Sequence, residues 1–456
     1  MSPTTAPAEM AGGSDIRHPH RTAPRGKREC SSLAMAALLY LAAASAACSR
    51  AREPAPPHGT DPVAAPAISP EAQERITAAL TPFVETGMVA GIHAVVVRSD
   101  RTVYEHTLGW SDVGSRAPLR RDAIFRIYSM TKPVVAAGVL RLVDEGSLHL
   151  DDPVSRYIPS FARVRVFAGG TADSPVLEPP ASPITIRQLL NHTSGLAYGL
   201  TEGPVDTIFR RANLYRAERG LEEFMDSLAR IPLLFHPGTG WSYSSGLDVA
   251  GRVIEVASGQ PLDRFLEERI FRPLRMRDTG FRIRPETRER IATVYRYGPD
   301  GALEPVTGTP LMAMFEPEAR FLWGSGGLLS TPDDQLRFLR MLLNGGELDG
   351  VRVLRPETVA LMTRNTLPPE LVPVRSWMLE DPTYGFGLGV AVRVDTAGAT
   401  RPGPPEIFRW SGYLGTYFWV DPVNELIAMV WVQHSAGSRM PIEEVFQRAV
   451  YGEMER

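Results

Sequence analysis

Apolar and polar positions alternate with a recognisable period only after the first 68 residues of this chain. Before that, residues 1–29 are polar and carry Pro, Gly and Arg without an apolar period. Leu33 to Ala47 is a 15-residue, largely apolar run. Residues 49–68 are Ala/Pro-rich and aperiodic, the pattern of a tether. Order begins at Ser69-Pro70, an N-cap followed by proline at the first helical position, and predicts a helix to about Gly87. Two strand-like runs follow, Gly91 to Arg98 and Thr102 to Gly109. Ala123 to Tyr128 then leads into a helix that opens around Ser129. It carries Val134, Val135, Val139, Leu142 and Val143 on one side and stops at Gly146. Pro133 falls in or just after its first turn, where a missing N–H costs least.

From about Asp152 to Pro305 the pattern is mainly helices and loops, with segments Ile184 to Leu190, Leu221 to Ile231, Asp248 to Ser258 and Pro261 to Phe271. Strand character returns at Gly385 to Val394, Ile407 to Trp410, Thr416 to Val420 and Leu426 to Gln433. A helix from about Pro441 to Tyr451 closes the chain. Strands at both ends and helices between them predict an α/β chain of the α+β type. One antiparallel sheet is built from early and late strands (about 69–151 and 306–456) and covered by the terminal helices. A mainly helical region (about 152–305) packs at its edge, and a site lies in the crevice between them.

Composition narrows the partners. At 456 residues, 43% hydrophobic and 22% charged, the chain has ample material for a core. A net charge of −3, with no basic run or aromatic–basic interleaving, points away from nucleic acid. The two cysteines, Cys30 and Cys48, both precede the folded region, which therefore holds neither a disulfide nor a thiolate zinc site. H-E-x-x-H is absent as well, so neither a metal nor a cofactor is implied. The Leu33 to Ala47 run, preceded by Lys27-Arg28, is too short to span a bilayer comfortably and has the proportions of a signal h-region. It ends in Ala44-Ser45-Ala46-Ala47-Cys48, which resembles a bacterial lipoprotein cleavage box with Cys48 as the lipidated residue, although Ser45 stands where Leu is usual. Ala44-Ser45-Ala46 equally suits ordinary signal peptidase. Residues 1–48 are thus expected to direct export to the periplasm or cell envelope, and lipidation of Cys48 would add a membrane tether.

Lysine usage singles out one position. After residue 29 the chain keeps 44 of its 49 Lys+Arg residues, of which 43 are arginine and one, Lys132, is lysine. Arginine does not give up its proton in a protein, whereas lysine can. Lys132 stands three residues after Ser129, and i, i+3 positions share a helix face roughly 5–6 Å apart at Cβ. A neutral Lys132 can take the hydroxyl proton of Ser129. Neutrality at pH 7 requires its pKa to fall from about 10.4 to near 7, on the order of 4 kcal/mol, which burial can supply.

Two further stretches carry chemistry. Gly238-Thr239-Gly240-Trp241-Ser242-Tyr243-Ser244-Ser245-Gly246-Leu247-Asp248 sets one tyrosine among small polar residues ahead of a helix. Tyr243, with Ser245, could complete a proton relay; a tyrosine capping a turn is the other reading. Trp410-Ser411-Gly412-Tyr413-Leu414-Gly415-Thr416 lies at a strand junction. It could aim a backbone N–H at a tetrahedral oxyanion, or it is a glycine-containing hairpin or bulge.

The ordered set S-x-x-K, Y-S-S and W-S-G resembles the serine β-lactamase and penicillin-binding-protein superfamily. Within it, the chain looks like class C β-lactamase-type hydrolases and most like the family VIII carboxylesterases. The likeness runs over roughly 70–450. Leu189-Leu190-Asn191-His192-Thr193-Ser194-Gly195-Leu196, Gly324-Ser325-Gly326-Gly327-Leu328 and Val420-Asp421-Pro422 support it. The resemblance implies a β-lactamase/transpeptidase-like fold and a serine hydrolase domain at 69–456. It makes Ser129 the acylated nucleophile and Lys132 with Tyr243 its base pair. Ser245 and Asp248 support the second motif, and the oxyanion hole comes from the N–H groups of Ser129 and Tyr413. Two departures bear on substrate. Ser245 stands where the β-lactamase pattern has Asn, and Trp410 stands where K-T-G has the lysine that meets the substrate carboxylate. Without that lysine an anionic substrate loses roughly 1.5–3 kcal/mol, and tryptophan offers an apolar wall instead. The expectation is a carboxylesterase acting on small or medium neutral esters. β-Lactamase or D-Ala-D-Ala peptide activity is the alternative, and a non-catalytic surface module the alternative from another class. Among other motifs, Ser194 reads as a turn before a helix. Gly240-Trp241-Ser242-Tyr243-Ser244 falls short of a G-x-S-x-G elbow. Gly324-Ser325-Gly326-Gly327 reads as backbone passing close to the site, and Asp333-Asp334 as an acidic first turn.

Overall fold

The computed structural model describes residues 68–376, 379 and 381–454. The apolar run, Cys48 and all of the tether but Ile68 lie outside the described residues.

Helix α1 (Pro70–Glu85) starts where Ser69 Oγ accepts the Ala72 N–H at 3.2 Å. It buries Ala72, Ile76, Leu80 and Phe83 along one stripe. Strands β1 (Gly91–Arg98), β2 (Arg101–Asp112) and the short β3 (Ala117–Pro118) follow. The C-terminal part supplies β4 (Tyr384–Phe386), β5 (Ala391–Arg393), β6 (Phe408–Gly412), β7 (Thr416–Asp421) and β8 (Leu426–Trp431). These form one eight-stranded antiparallel sheet in the order β4-β5-β6-β7-β8-β1-β2-β3. The two halves of the chain meet where β1 pairs with β8, from His93 opposite Trp431 to Arg98 opposite Leu426.

Both faces of this sheet are covered, so its central strands read as near-continuous apolar runs. Ile92, Ala94 and Val96 of β1, with Ala428 and Val430 of β8, pack under Leu80 and Phe83 of α1. Phe446 and Val450 of the closing helix α4 (Ile442–Met454) join them. Val95 and Val97 turn the other way, with Ile427, Met429 and Trp431, towards helix α2 (Thr131–Asp144). Helix α3 (Gly246–Ser258) lies on the far side of α2. Because α2 runs between the sheet and the helical region, it is buried almost all round rather than along the one stripe its sequence predicts.

Several expectations need correction. Ser129 precedes α2, in a tight turn over Tyr128–Met130, and the helix begins at Thr131. The single strand expected over Gly385 to Val394 is the hairpin β4–β5, closed by Gly387 N–H to Val390 O at 2.9 Å. The helical middle holds two further hairpins, Val166–Gly170 with Pro175–Glu178 and Tyr295–Tyr297 with Leu303–Pro305. Their residues are mostly exposed or half-exposed, and their short runs leave no strand-length apolar pattern to read. Ser194 lies in a turn, but the next helix starts only at Pro204. The acidic pair Asp333-Asp334 does open a helix, Pro332–Leu343, capped by Thr331 Oγ1 accepting from Asp334 N–H at 3.2 Å.

Candidate active site

Backbone bonds at the end of the sheet fix the nucleophile's turn. The Gln433 side chain, just past β8, grips the Arg126 peptide from both sides: Oε1 accepts its N–H at 3.1 Å and Nε2 donates to its carbonyl at 3.2 Å. Ile127 N–H donates to Leu328 O at 3.0 Å, and Leu328 N–H to Thr131 Oγ1 at 3.1 Å. Tyr128 takes a positive φ of 43°. Its ring packs against Phe315, Trp323 and Tyr413 at 5.6, 5.5 and 5.7 Å between centroids. The turn therefore leaves Ser129 half-buried, just ahead of α2.

Three side chains converge on Ser129 Oγ or on the group that reaches it. Lys132 Nζ lies 3.2 Å from Oγ, and the Tyr243 hydroxyl donates to Oγ at 2.7 Å. Lys132 also donates to the Ser325 carbonyl at 2.7 Å. Its amine sits over two aromatic faces, Tyr243 at 4.5 Å and Tyr198 at 5.2 Å from the ring centroids. Lys132 is fully buried, and burial pulls it down to about 7, against the opposing field of Asp248. Burial pushes Tyr243 well above the usual phenol range, so it is a proton donor at neutral pH. Its bond to Ser129 and the nearby Trp410 indole oppose that shift.

The second motif is held from behind. His192, itself at a φ of 63°, accepts the Ser244 N–H at Nδ1 (3.3 Å), and its carbonyl accepts the Ser242 N–H at 3.1 Å. The His192 ring stands edge-on to Tyr243 at 4.9 Å. Burial, then the field of Lys132, keeps this imidazole neutral. Asp248 in the first turn of α3 accepts from the Tyr215 hydroxyl at 2.7 Å and from the Ser325 N–H at 2.8 Å. That second bond requires a bare backbone beside it, because a Cβ on Gly324 would fall 2.5 Å from Leu247 O. Ser245 departs from expectation. Its hydroxyl donates to Ala197 O at 2.9 Å, which ties two loops together and leaves it out of any relay through Tyr243.

The third motif comes alongside on β6. Gly412 lets the strand end pass against the Ile127 carbonyl, which a Cβ would strike. Trp410 is buried against Tyr243 and Phe386, at 5.5 and 5.2 Å. Phe386 leads on to Trp241 at 5.5 Å, so three aromatic rings pack in series beside Tyr243. Ser411 is half-buried, whereas Tyr413 is 48% exposed, and its carbonyl accepts the Ser438 N–H at 3.3 Å. Sequence reasoning brought Ser129, Lys132, Tyr243, Asp248 and the third motif to one place. It did not find Tyr198 and Tyr215, whose positions depend on tertiary packing and leave no local signal.

The family model described as Beta-lactamase matches residues 76–451 of this chain. The chain belongs to the beta-lactamase family. Among relatives in the beta-lactamase family, Esterase EstB of Burkholderia gladioli is 34% identical over 414 residues, covering 86% of this chain and 98% of its own. Lovastatin esterase of Penicillium rubens is 33% identical over 371 residues, covering 77% and 90%. The solved structure of EstCE1, named as a hydrolase with promiscuous acyltransferase activity, superposes with a TM-score of 0.73 at 26% identity, covering 84% of this chain and 99% of its own. The protein is a serine hydrolase of this fold.

Proposed function

We propose that this protein is a carboxylesterase that acylates Ser129 with small or medium acyl groups and releases them to water or to an alcohol. The observation that carries the reading is Ser129 Oγ held between the Lys132 amine and the Tyr243 phenol, with the Trp410 indole packed on Tyr243 where the third motif would carry its lysine. Lys132 takes the Ser129 proton as Oγ adds to the ester carbonyl carbon. The oxyanion is received by the N–H groups of Ser129 and Tyr413. Tyr243 passes its proton to the departing alkoxide and is recharged by the Lys132 ammonium. Water or an alcohol then enters by the reverse path, giving an acid or a new ester and restoring Ser129. The esterases EstB and lovastatin esterase support ester chemistry, and the acyltransferase activity named for EstCE1 supports the alcohol branch.

The test uses p-nitrophenyl butyrate with nitrocefin in parallel, and a fluorophosphonate adduct located by peptide mass. Ester turnover with the adduct on Ser129 and slow nitrocefin turnover is the expected result. Fast nitrocefin turnover would put β-lactam chemistry first, and silence on every arm from folded protein would leave a non-catalytic module. Trp410→Lys tests the tryptophan itself. Restoring a cation opposite the substrate carboxylate is expected to raise nitrocefin turnover about tenfold, matching one charge-assisted contact. No gain removes the argument from Trp410.

A further inference from the structure

Asp248 is fully buried, yet among the described residues no cation lies within ion-pair distance of it. Both carboxylate oxygens are instead engaged by neutral donors, Tyr215 and the Ser325 N–H. A buried carboxylate without a contacting cation is costly, and an amide or apolar side chain would fill this place more cheaply. What the carboxylate does there follows from the next bond. Ser325 offers its N–H to Asp248 at 2.8 Å and its carbonyl to Lys132 Nζ at 2.7 Å, so a single residue spans the acid and the base.

We propose that Asp248 is a positioning residue for acyl transfer: through Ser325 it holds the Lys132 amine at the nucleophile, and it supplies the counter-charge for the ammonium formed there. The proposal rests on the reading of Ser129 and Lys132 given above. The step it serves is balanced. The Ser129 O–H bond breaks, its proton forms an N–H bond on Lys132, and Oγ bonds to the carbonyl carbon. A neutral amine and hydroxyl thereby become an ammonium and an oxyanion. Burial pushes Asp248 up to about 6, against the bonds from Tyr215 and the Ser325 N–H, so at pH 7 it is mainly ionised and takes no proton in the step. The other groups facing this pair do not compete for the role. Tyr198, Tyr215 and Tyr243 are kept protonated by burial, and His192 is kept neutral by it. The groups that meet the amine, Ser129, Ser325, Tyr198 and Tyr243, are likewise uncharged.

Asp248→Asn tests this, because the amide keeps the size and its oxygen can still accept the Ser325 N–H. Two quantities are read: kcat and KM on p-nitrophenyl butyrate, and the pH dependence of the fluorophosphonate labelling rate at Ser129. The expected result is a fall in kcat of about 10²-fold with KM little changed. The acidic limb of labelling should also move to lower pH by about one unit, since removing a negative charge disfavours the ammonium. A role confined to packing would lower both rates and leave the limb in place, and that outcome, or a limb moved upward, overturns the proposal. Should Asp248→Asn not fold, Tyr215→Phe decides the matter. It withdraws one of the two donors that keep the carboxylate ionised, so the limb should move the same way by less, and an unmoved limb overturns the proposal. A wild-type protein that takes no label at Ser129 overturns the functional reading as well. A labelled wild type with an unshifted variant overturns this inference alone.

Discussion

Lys132→Met is expected to lose about 10⁴–10⁶-fold in ester turnover and, at pH 7, to melt higher than the wild type. The loss follows from geometry, because methionine matches the length of the lysine but cannot take the Ser129 proton now lying 3.2 Å from Nζ. The gain follows from burial. The folded chain holds this amine at about 7, whereas the unfolded chain leaves it near 10.4. The unfolded state therefore binds more protons between those values, so stability rises as pH climbs from about 7 towards 10.4, and below 7 the full penalty persists. That penalty is on the order of 4 kcal/mol, more than the roughly 1–3 kcal/mol for leaving the Ser325 carbonyl without its donor. Lys132→Arg should lose turnover as completely, since guanidinium keeps its proton. It should also lose stability, by about 1–3 kcal/mol, because the larger head must fit a fully enclosed site. Turnover assays and thermal melts at pH 7 check both variants. Activity within tenfold of the wild type in either would sink the proton-transfer role of Lys132, and a lower melting point for Lys132→Met would sink the burial argument.

Tyr243→Phe should lose about 10²–10⁴-fold in kcat with KM nearly unchanged, and by an amount that depends on the leaving group. Its hydroxyl donates to Ser129 Oγ at 2.7 Å, and burial keeps it a phenol at neutral pH. It is thus placed to give a proton rather than to take one. p-Nitrophenolate leaves without help, whereas an alkoxide needs a proton. The loss on ethyl butyrate, followed by pH-stat, should therefore exceed the loss on p-nitrophenyl butyrate by about tenfold. Equal losses on the two esters would mean that Tyr243 only orients Ser129 and does not protonate the leaving group.

The sheet and its covering helices were legible because burial writes itself into local sequence. Ala94 to Val97 and Leu426 to Trp431 are apolar at successive positions because both faces of the sheet are covered. Ser69-Pro70 marks the first helix by cap chemistry alone. The candidate site was legible where chemistry forces residue choice, as at Lys132 in a chain that after residue 29 otherwise uses arginine. Ser245 misled because the spacing from Tyr243 says nothing of direction: two residues on, the chain has already turned into α3, and the hydroxyl meets Ala197 instead. The cage around Lys132 was invisible for a different reason. Tyr198, Tyr215 and Ser325 come from three separate segments, and only the folded chain brings Tyr198 and Ser325 to the amine and Tyr215 to the Asp248 carboxylate beside it.

The one lysine after residue 29 also governs how this protein meets reagents. Its amine is sealed, so among the described residues every solvent-facing cation is a guanidinium or an imidazole. Succinimidyl esters, glutaraldehyde and cyanate from ageing urea find no side-chain handle on residues 68–454 while the fold holds. A lysine-specific protease meets position 132 only as a Lys-Pro bond inside a packed helix start. Modification at Lys132 therefore records opening of the core, so a single carbamylated peptide serves as a clock for unfolding.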